Sequence, residues 1–414
     1  MNIKGEITPP GDKSISHRSL IIGALAKGTT SIKGILESRD IMSTNNALVA
    51  LGTQIKRDGD IYLINGDHLK EPCVIIDAGN SGTTARLLSG IAAGIDGVSI
   101  ITGDNSLIKR PMQRVITPLE QMGAIFMARE KRYLPMAIRG AGLKGISYRM
   151  PIASAQVKSA ILLAGIKGMG TTEVREPIRS RDHTERMLKF FGAKVDIMET
   201  KVAISGGQTL KARDVVVPGD PSSATFPAVW AATTTGSELL IKDVCINPTR
   251  TGFIDVLKRM GADISIENPR DITGEKIGDI LIKGRDLTST TIEGPEIPHL
   301  IDEIPILAVA AALATGKTII KDAKELRVKE TDRISAMMKG FAALGAKVAE
   351  MEDGLIIDGP LKLSAGAIET FGDHRIAMAF YILGKIADIN IWLDNRECVD
   401  ISYPGFFNAM ERLG

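Results

Sequence analysis

The chain has 414 residues, of which 44% are hydrophobic and 24% charged, and its net charge is +2. That length exceeds one ordinary core and predicts two domains. The near-neutral balance without a basic tail excludes bulk electrostatic binding to nucleic acid or membrane, and an aromatic content of 4% leaves no platform for stacking single-stranded bases.

The chain opens on MNIKGEITPPGDKS, which lacks the apolar stretch of a signal peptide. No run reaches the roughly 18 apolar residues of a membrane span. The cysteines, Cys73, Cys245 and Cys398, form no CxxC pair and no metal spacing, and each is expected to be a buried apolar filler. Together these features predict a soluble cytoplasmic protein.

The first predicted helix follows Pro10-Gly11-Asp12-Lys13-Ser14-Ile15-Ser16-His17-Arg18. A tight turn feeding a helix start, with Lys and Arg about one turn apart, is an anion cradle; a solvated helix start would read the same way. Gly79-Asn80-Ser81-Gly82-Thr83-Thr84-Ala85-Arg86 is a second glycine- and hydroxyl-rich entry to an apolar helix, suited to phosphate or carboxylate. Lys109-Arg110-Pro111-Met112 precedes the next helix, and such a pair alone is usually surface charge. Ser154-Ala155-Gln156-Val157-Lys158 precedes ILLAG. Ser180-Arg181-Asp182-His183-Thr184-Glu185 resembles a capping box, which accounts for Asp182 and Thr184 but not for Arg181.

In the second half, Ile301-Asp302-Glu303-Ile304-Pro305 enters the most apolar helix, where acids are often N-caps. Leu326-Arg327-Val328-Lys329-Glu330-Thr331-Asp332-Arg333 offers the acid and bases that proton transfer beside a bound anion would use; a charged helix face competes. Gly372-Asp373-His374-Arg375 enters AMAFYIL. Other motifs fail. ALATGKT has Ala311 where a phosphate loop needs its first Gly. The five histidines form no metal spacing, and no GxSxG is present.

A repeat orders these motifs. A "large apolar, Gly, Ala" unit closes a helix and opens a strand at Gly52, Gly123, Gly192, Gly261 and Gly345, and the chain ends at Gly414, with spacings of 71, 69, 69, 84 and 69 residues. Between these lies a second unit, an Ala-rich helix, a Gly and a β-branched strand, as in LIIGALAKGTTSIKG and PILAVAAALATGKTIIKD; AMAFYILGKIADINIWL is a weaker copy without the Gly. The Ala-rich helices are apolar on most faces and should be buried. Six copies of about 70 residues are too long for a helical solenoid and predict an α/β architecture with three copies per domain. Cations at helix mouths on repeat after repeat (Lys13, Arg18, Arg86, Arg110, Lys329, Arg333 and Arg375) predict convergence on polyanionic ligands.

The ordered set PGDKSISHR, GNSGTTARLL, KRPMQRV, ASAQVKSA, SRDHTERM, IDEIPILAVAAA, LRVKETDRI, FGDHRIAMA and SYPGFF resembles the EPSP synthase branch of the enolpyruvyl transferase family over essentially the whole chain. The resemblance implies a two-domain inside-out α/β barrel with three βαβαββ units per domain. Residues 1–10 and 220–414 would form a discontinuous domain on the phosphoenolpyruvate side, residues 11–219 an inserted domain with most shikimate 3-phosphate contacts, and the active site would lie in the cleft between them. Lys13, Ser14, Arg18, Ser154, Ala155, Gln156, Arg181, Asp302 and Lys329 would bind shikimate 3-phosphate. Lys13, Asn80, Gly82, Arg110, Gln156, Lys329, Arg333 and Arg375 would bind phosphoenolpyruvate. Lys13, Asp302 and Glu330 would be catalytic, with Asp302 facing the attacking 5-hydroxyl.

No metal or organic cofactor is implied, a monomer is expected, and Gly82 implies sensitivity to glyphosate. Some relatives have Ser-Ser-Gln where this chain has Ser154-Ala155-Gln156, or a Lys at the place of Ile401; both departures resemble the branch that supplies Arg181 for the phosphate. The related enzyme acting on UDP-N-acetylglucosamine is disfavoured because residues 103–114 contain no Cys. A non-catalytic anion binder would have no need of both Asp302 and Glu330.

Overall fold

The computed structural model describes residues 2–414. The chain divides into two units: Met1–Pro10, Pro218–Asp271 and Lys276–Gly414 in one, Gly11–Val217 and Ile272–Glu275 in the other. They are called the outer-sequence and inserted units below.

The inserted unit is built on three buried helices, Lys13–Leu25, Gly82–Ala92 and Ala155–Lys167. Small residues set their packing. A methyl added at Gly90 would stand 2.2 Å from the Ala160 carbonyl oxygen, so only glycine allows this approach. Each helix connects two parallel strands or enters a strand of a four-stranded sheet. The sheet orders are Asp214–Val216, Gly28–Lys33, Ile61–Gly66, Gln54–Asp58; then Ile76–Asp77, Val98–Thr102, Tyr133–Arg139, Ile125–Arg129; then Ser147–Arg149, Thr171–Arg175, Lys201–Ser205, Val195–Met198. In each, the first two strands are parallel and the last two form an antiparallel hairpin. The tip Ile272–Glu275 is anchored here: Thr273 Oγ1 donates to the Val216 carbonyl at 3.0 Å, and Glu275 Oε1 lies 2.6 Å from His183 Nδ1.

The outer-sequence unit repeats the plan around Pro221–Thr233, Ile304–Leu313 and His374–Ala387. These helices form the centre of its apolar core. Ile304–Leu313 is buried from Ile304 to Ala312, as expected of a helix with no polar face. Its first sheet borrows Lys4–Ile7, which pairs parallel with Glu238–Cys245. The inserted unit's first sheet likewise borrows Asp214–Val216. Thus the two segments that link the units exchange the opening strand of each first repeat.

Five repeats carry the full set of elements. The sixth differs from the expected βαβαββ pattern: it has one parallel pair, Gly366–Ile368 with Ile391–Leu393, and the short helix Phe406–Glu411, and no antiparallel hairpin among the described residues. The repeat glycines at 52, 123, 192, 261 and 345 all have positive φ, between 81° and 113°, as left-handed helix ends require. After the Ala-rich helices the glycines at 28, 97, 170, 236 and 316 also have positive φ, and in the weaker copy that lacks this Gly, Asp388 takes the left-handed position at φ 52°.

The expectation for the cysteines is corrected at one position. Cys245 and Cys398 are buried, but Cys73 is exposed, because it lies in the loop between strands Ile61–Gly66 and Ile76–Asp77. Among the described residues no helix is long and apolar enough to cross a membrane.

Candidate active site

In the inserted unit the three buried helices begin with side-chain caps. Asp12 accepts from the Ile15 N–H at 2.7 Å, Ser81 from Thr84 at 3.1 Å and Ser154 from Val157 at 3.5 Å. Capping leaves further N–H groups at each helix mouth for an anion. Lys13 stands at the first mouth, its Nζ 3.2 Å from Asp40 Oδ2, with Lys13 only 17% exposed. Ser14 follows it and its carbonyl accepts from Arg18 Nη1 at 2.9 Å. Arg18 is buried; its Nε donates to Thr184 Oγ1 at 2.6 Å and its Nη2 to Ser159 Oγ at 2.8 Å. The sequence pointed to Arg18 as a ligand for the substrate; here it also joins the first and third repeats.

At the second mouth, Arg110 Nη2 donates to Asn80 Oδ1 at 2.9 Å, and Asn80 donates to Asp104 at 2.7 Å. Arg86 Nη1 donates to Gln156 Oε1 at 2.7 Å, and Gln156 donates to Thr83 at 3.0 Å. Gly82 lies against both guanidinium groups: a methyl there would stand 2.6 Å from Arg86 Nη1 and 3.6 Å from Arg110 Nη1. Asn80, Gly82, Arg110 and Gln156 are therefore one neighbourhood, joined through Arg86. Ala155 opens the third helix beside Gln156. Arg181 is half-buried on the loop before helix His183–Phe190. The capping box read there does not form. Asp182 makes no side-chain cap and instead accepts from Arg179 at 2.8 Å and Arg186 at 2.9 Å.

The outer-sequence unit holds a second cluster. Glu303, the N-cap residue of Ile304–Leu313, makes no side-chain cap there, so the capping account fails for Glu303. Asp302 Oδ1 receives Lys329 Nζ at 3.2 Å and Arg333 Nη1 at 3.3 Å. Arg333 Nη2 donates to Glu330 at 2.6 Å, and its Nε donates to Asp373 at 2.8 Å. Arg375 Nη1 donates to the Asp302 carbonyl at 3.0 Å. Asp302 and Glu330 thus share one guanidinium, each keeping some exposure, 15% and 20%. Arg333 itself is 1% exposed. Burial opposes its charge, but Asp373, Glu330 and Asp302 outweigh that, and its pKa is raised. A guanidinium so placed organises carboxylates, a role the sequence reading did not give it.

Some participants were not foreseen. Asp40 pairs with Lys13 but lies in an ordinary helix start. Asp373 was read only as part of a helix entry; it both caps the Arg375 N–H at 2.9 Å and holds Arg333. Ser222 donates to Glu303, and Arg250 donates to Ser222 and Asp220 at 2.9 Å each. These partners have no sequence signal because charge pairing depends on contacts between repeats.

A family model for EPSP synthase (3-phosphoshikimate 1-carboxyvinyltransferase) matches residues 1–410. The chain belongs to the EPSP synthase family. It is 48% identical to the 3-phosphoshikimate 1-carboxyvinyltransferase of Geobacter metallireducens over 99% of this chain and 97% of that one. It is 51% identical to that of Petrotoga mobilis over 100% and 97%. Among solved structures, an EPSP synthase from Acinetobacter baumannii is similar at TM-score 0.87 and 44% identity, covering 100% of this chain and 96% of that one. The family match spans both units, so both charged clusters lie within it.

Proposed function

We infer that the chain transfers the enolpyruvyl group of phosphoenolpyruvate to the 5-hydroxyl of shikimate 3-phosphate, releasing phosphate. Family membership supports the reaction. The observation that carries the chemistry is Asp302 and Glu330 bound to one buried arginine. A simple anion binder would place no two carboxylates among its cations, whereas addition followed by elimination needs proton acceptors and donors there.

In the addition step, the 5-hydroxyl oxygen bonds to C2 of phosphoenolpyruvate and gives its proton to Asp302. Glu330, as the acid, delivers a proton to C3, and a tetrahedral adduct forms. In the elimination step Glu330 takes a proton back from C3, the C2–O bond to phosphate breaks, and phosphate leaves with the proton that Asp302 took from the hydroxyl, which returns both carboxyl groups to their starting states. Lys329, Arg333 and Arg375 bind the phosphoenolpyruvate anions and stabilise charge on the two carboxylates. Lys13, Asn80, Gly82, Arg110 and Gln156 complete that pocket. Ser14, Arg18, Ser154, Ala155, Gln156 and Arg181, with Lys13, Asp302 and Lys329, hold shikimate 3-phosphate.

This reading assigns the two clusters to one pair of substrates. Each unit is read as an inside-out α/β barrel, a reading supported by its central buried helices, and the protein as a monomer. Gly82 supports inhibition by glyphosate, and turnover unaffected by millimolar glyphosate contradicts it.

The assignment is tested by phosphate release from phosphoenolpyruvate with either shikimate 3-phosphate or UDP-N-acetylglucosamine as acceptor. Release is expected with the first alone. Release only with the second overturns the assignment.

A further inference from the structure

Beneath the third helix mouth of the inserted unit lies a charged cluster that the proposed chemistry does not use. Lys158 Nζ is 2.7 Å from Glu176 Oε2 and 2.7 Å from Glu185 Oε1, and all three side chains are 1% exposed. Burial works against the Lys158 charge, but the two glutamates outweigh it and raise its pKa. One ammonium and two carboxylates are costlier to bury than apolar side chains of the same size, so core packing gives no reason for them.

The two glutamates are not equivalent. Glu185 leaves Oε2 without a hydrogen-bond partner. Glu176 uses both oxygens: Oε2 accepts the Ser180 N–H at 3.3 Å as well as Lys158, and Oε1 accepts the Ser180 hydroxyl. Ser180 immediately precedes Arg181. On the other side of Arg181, Asp182 is held by Arg179 and Arg186. Lys158 itself lies in the helix that starts at Ala155 and Gln156. One buried ammonium thus ties the helix start carrying Ser154-Ala155-Gln156 to the loop carrying Arg181.

We propose that Glu176, anchored by Lys158, is a positioning residue that sets Arg181 for the phosphate of shikimate 3-phosphate, whereas Glu185 is not. The proposal rests on the reading of Arg181 as a ligand of that phosphate. Glu176→Gln places an amide N–H₂ where donors from Lys158 and Ser180 converge, so the loop must shift. Glu185→Gln makes the same change of charge without touching Ser180.

The test is steady-state phosphate release by the full chain, with shikimate 3-phosphate varied at saturating phosphoenolpyruvate. Glu176→Gln is expected to raise KM for shikimate 3-phosphate by about 10-fold with kcat within about 2-fold, and Glu185→Gln to leave both within about 2-fold. A role in stability alone would move the two variants alike. Ser180→Ala keeps every charge and should raise the same KM by about 3-fold; it decides the matter if Glu176→Gln does not fold. Arg181→Gln serves as the control and should raise KM at least about 10-fold. Wild-type KM in Glu176→Gln or in Ser180→Ala, or an equal rise in Glu185→Gln, overturns the proposal. Wild-type KM in Arg181→Gln overturns instead the reading of Arg181 beneath it.

Discussion

Glu330 and His17 show how burial and partners set what single residues do. Glu330 is bound to Arg333 at 2.6 Å yet partly exposed, so an amide in its place keeps the shape and loses the exchangeable proton. Glu330→Gln is expected to lower kcat by at least about 100-fold while calorimetry still shows shikimate 3-phosphate binding; near-normal turnover would remove Glu330 from the mechanism. His17 is fully buried, with Nδ1 2.7 Å from Thr44 Oγ1 and Nε2 without a partner. Burial first, then Lys13 and Arg18, lower its pKa well below 6.5. The unfolded chain therefore takes up a proton below about pH 6.5 that the folded chain refuses. This contribution to stability is complete above that pH and falls as pH falls, by at most about 1.4 kcal/mol per pH unit. Urea denaturation at pH 7.5 and 5.0 should show the loss in wild type and a smaller loss in His17→Asn.

At the scale of elements, glycine plays two separable roles. Gly192 has φ 94° with nothing within 4 Å of an added Cβ, so Gly192→Ala meets only conformational cost, about 1 kcal/mol. Gly90 has no such φ, but its Cβ would stand 2.2 Å from the Ala160 carbonyl. Gly90→Ala must push a pair of buried helices apart and should cost about 3 kcal/mol. Denaturant unfolding of both variants measures the difference, and equal losses would refute the distinction. The helix-ending role was legible in the sequence because it recurs with the same flanks at Gly52, Gly123, Gly192, Gly261 and Gly345. The helix-packing role was not, because Gly90 sits inside an apolar helix and its reason is a carbonyl about 70 residues away. Cys73 was misread for a related cause: cysteine is usually buried, but a loop position overrides that tendency. The missing hairpin of the sixth repeat was equally hidden, since the helix–Gly signal marks where a helix ends and carries no information on the strands beyond it.

Across the whole molecule, the sequence made the cations visible but not their partners. Lys13, Arg110, Lys329 and Arg375 stand at helix mouths in recurrent motifs, and the structure keeps them there. Asp40 and Asp373 could not be chosen from the many acids of the chain, because each becomes a partner only when distant segments pack together. The functional account requires Lys13 in one unit and Lys329 in the other to serve the same substrates. Each has a carboxylate partner at 3.2 Å within its own unit, so replacing either by Met leaves the other cluster whole. The most direct measurement is phosphate release from phosphoenolpyruvate and shikimate 3-phosphate by Lys13→Met and by Lys329→Met, each checked for native circular dichroism. Each variant is expected to lose at least about 100-fold in kcat/KM; wild-type kcat/KM in either one, with the fold intact, would contradict the account.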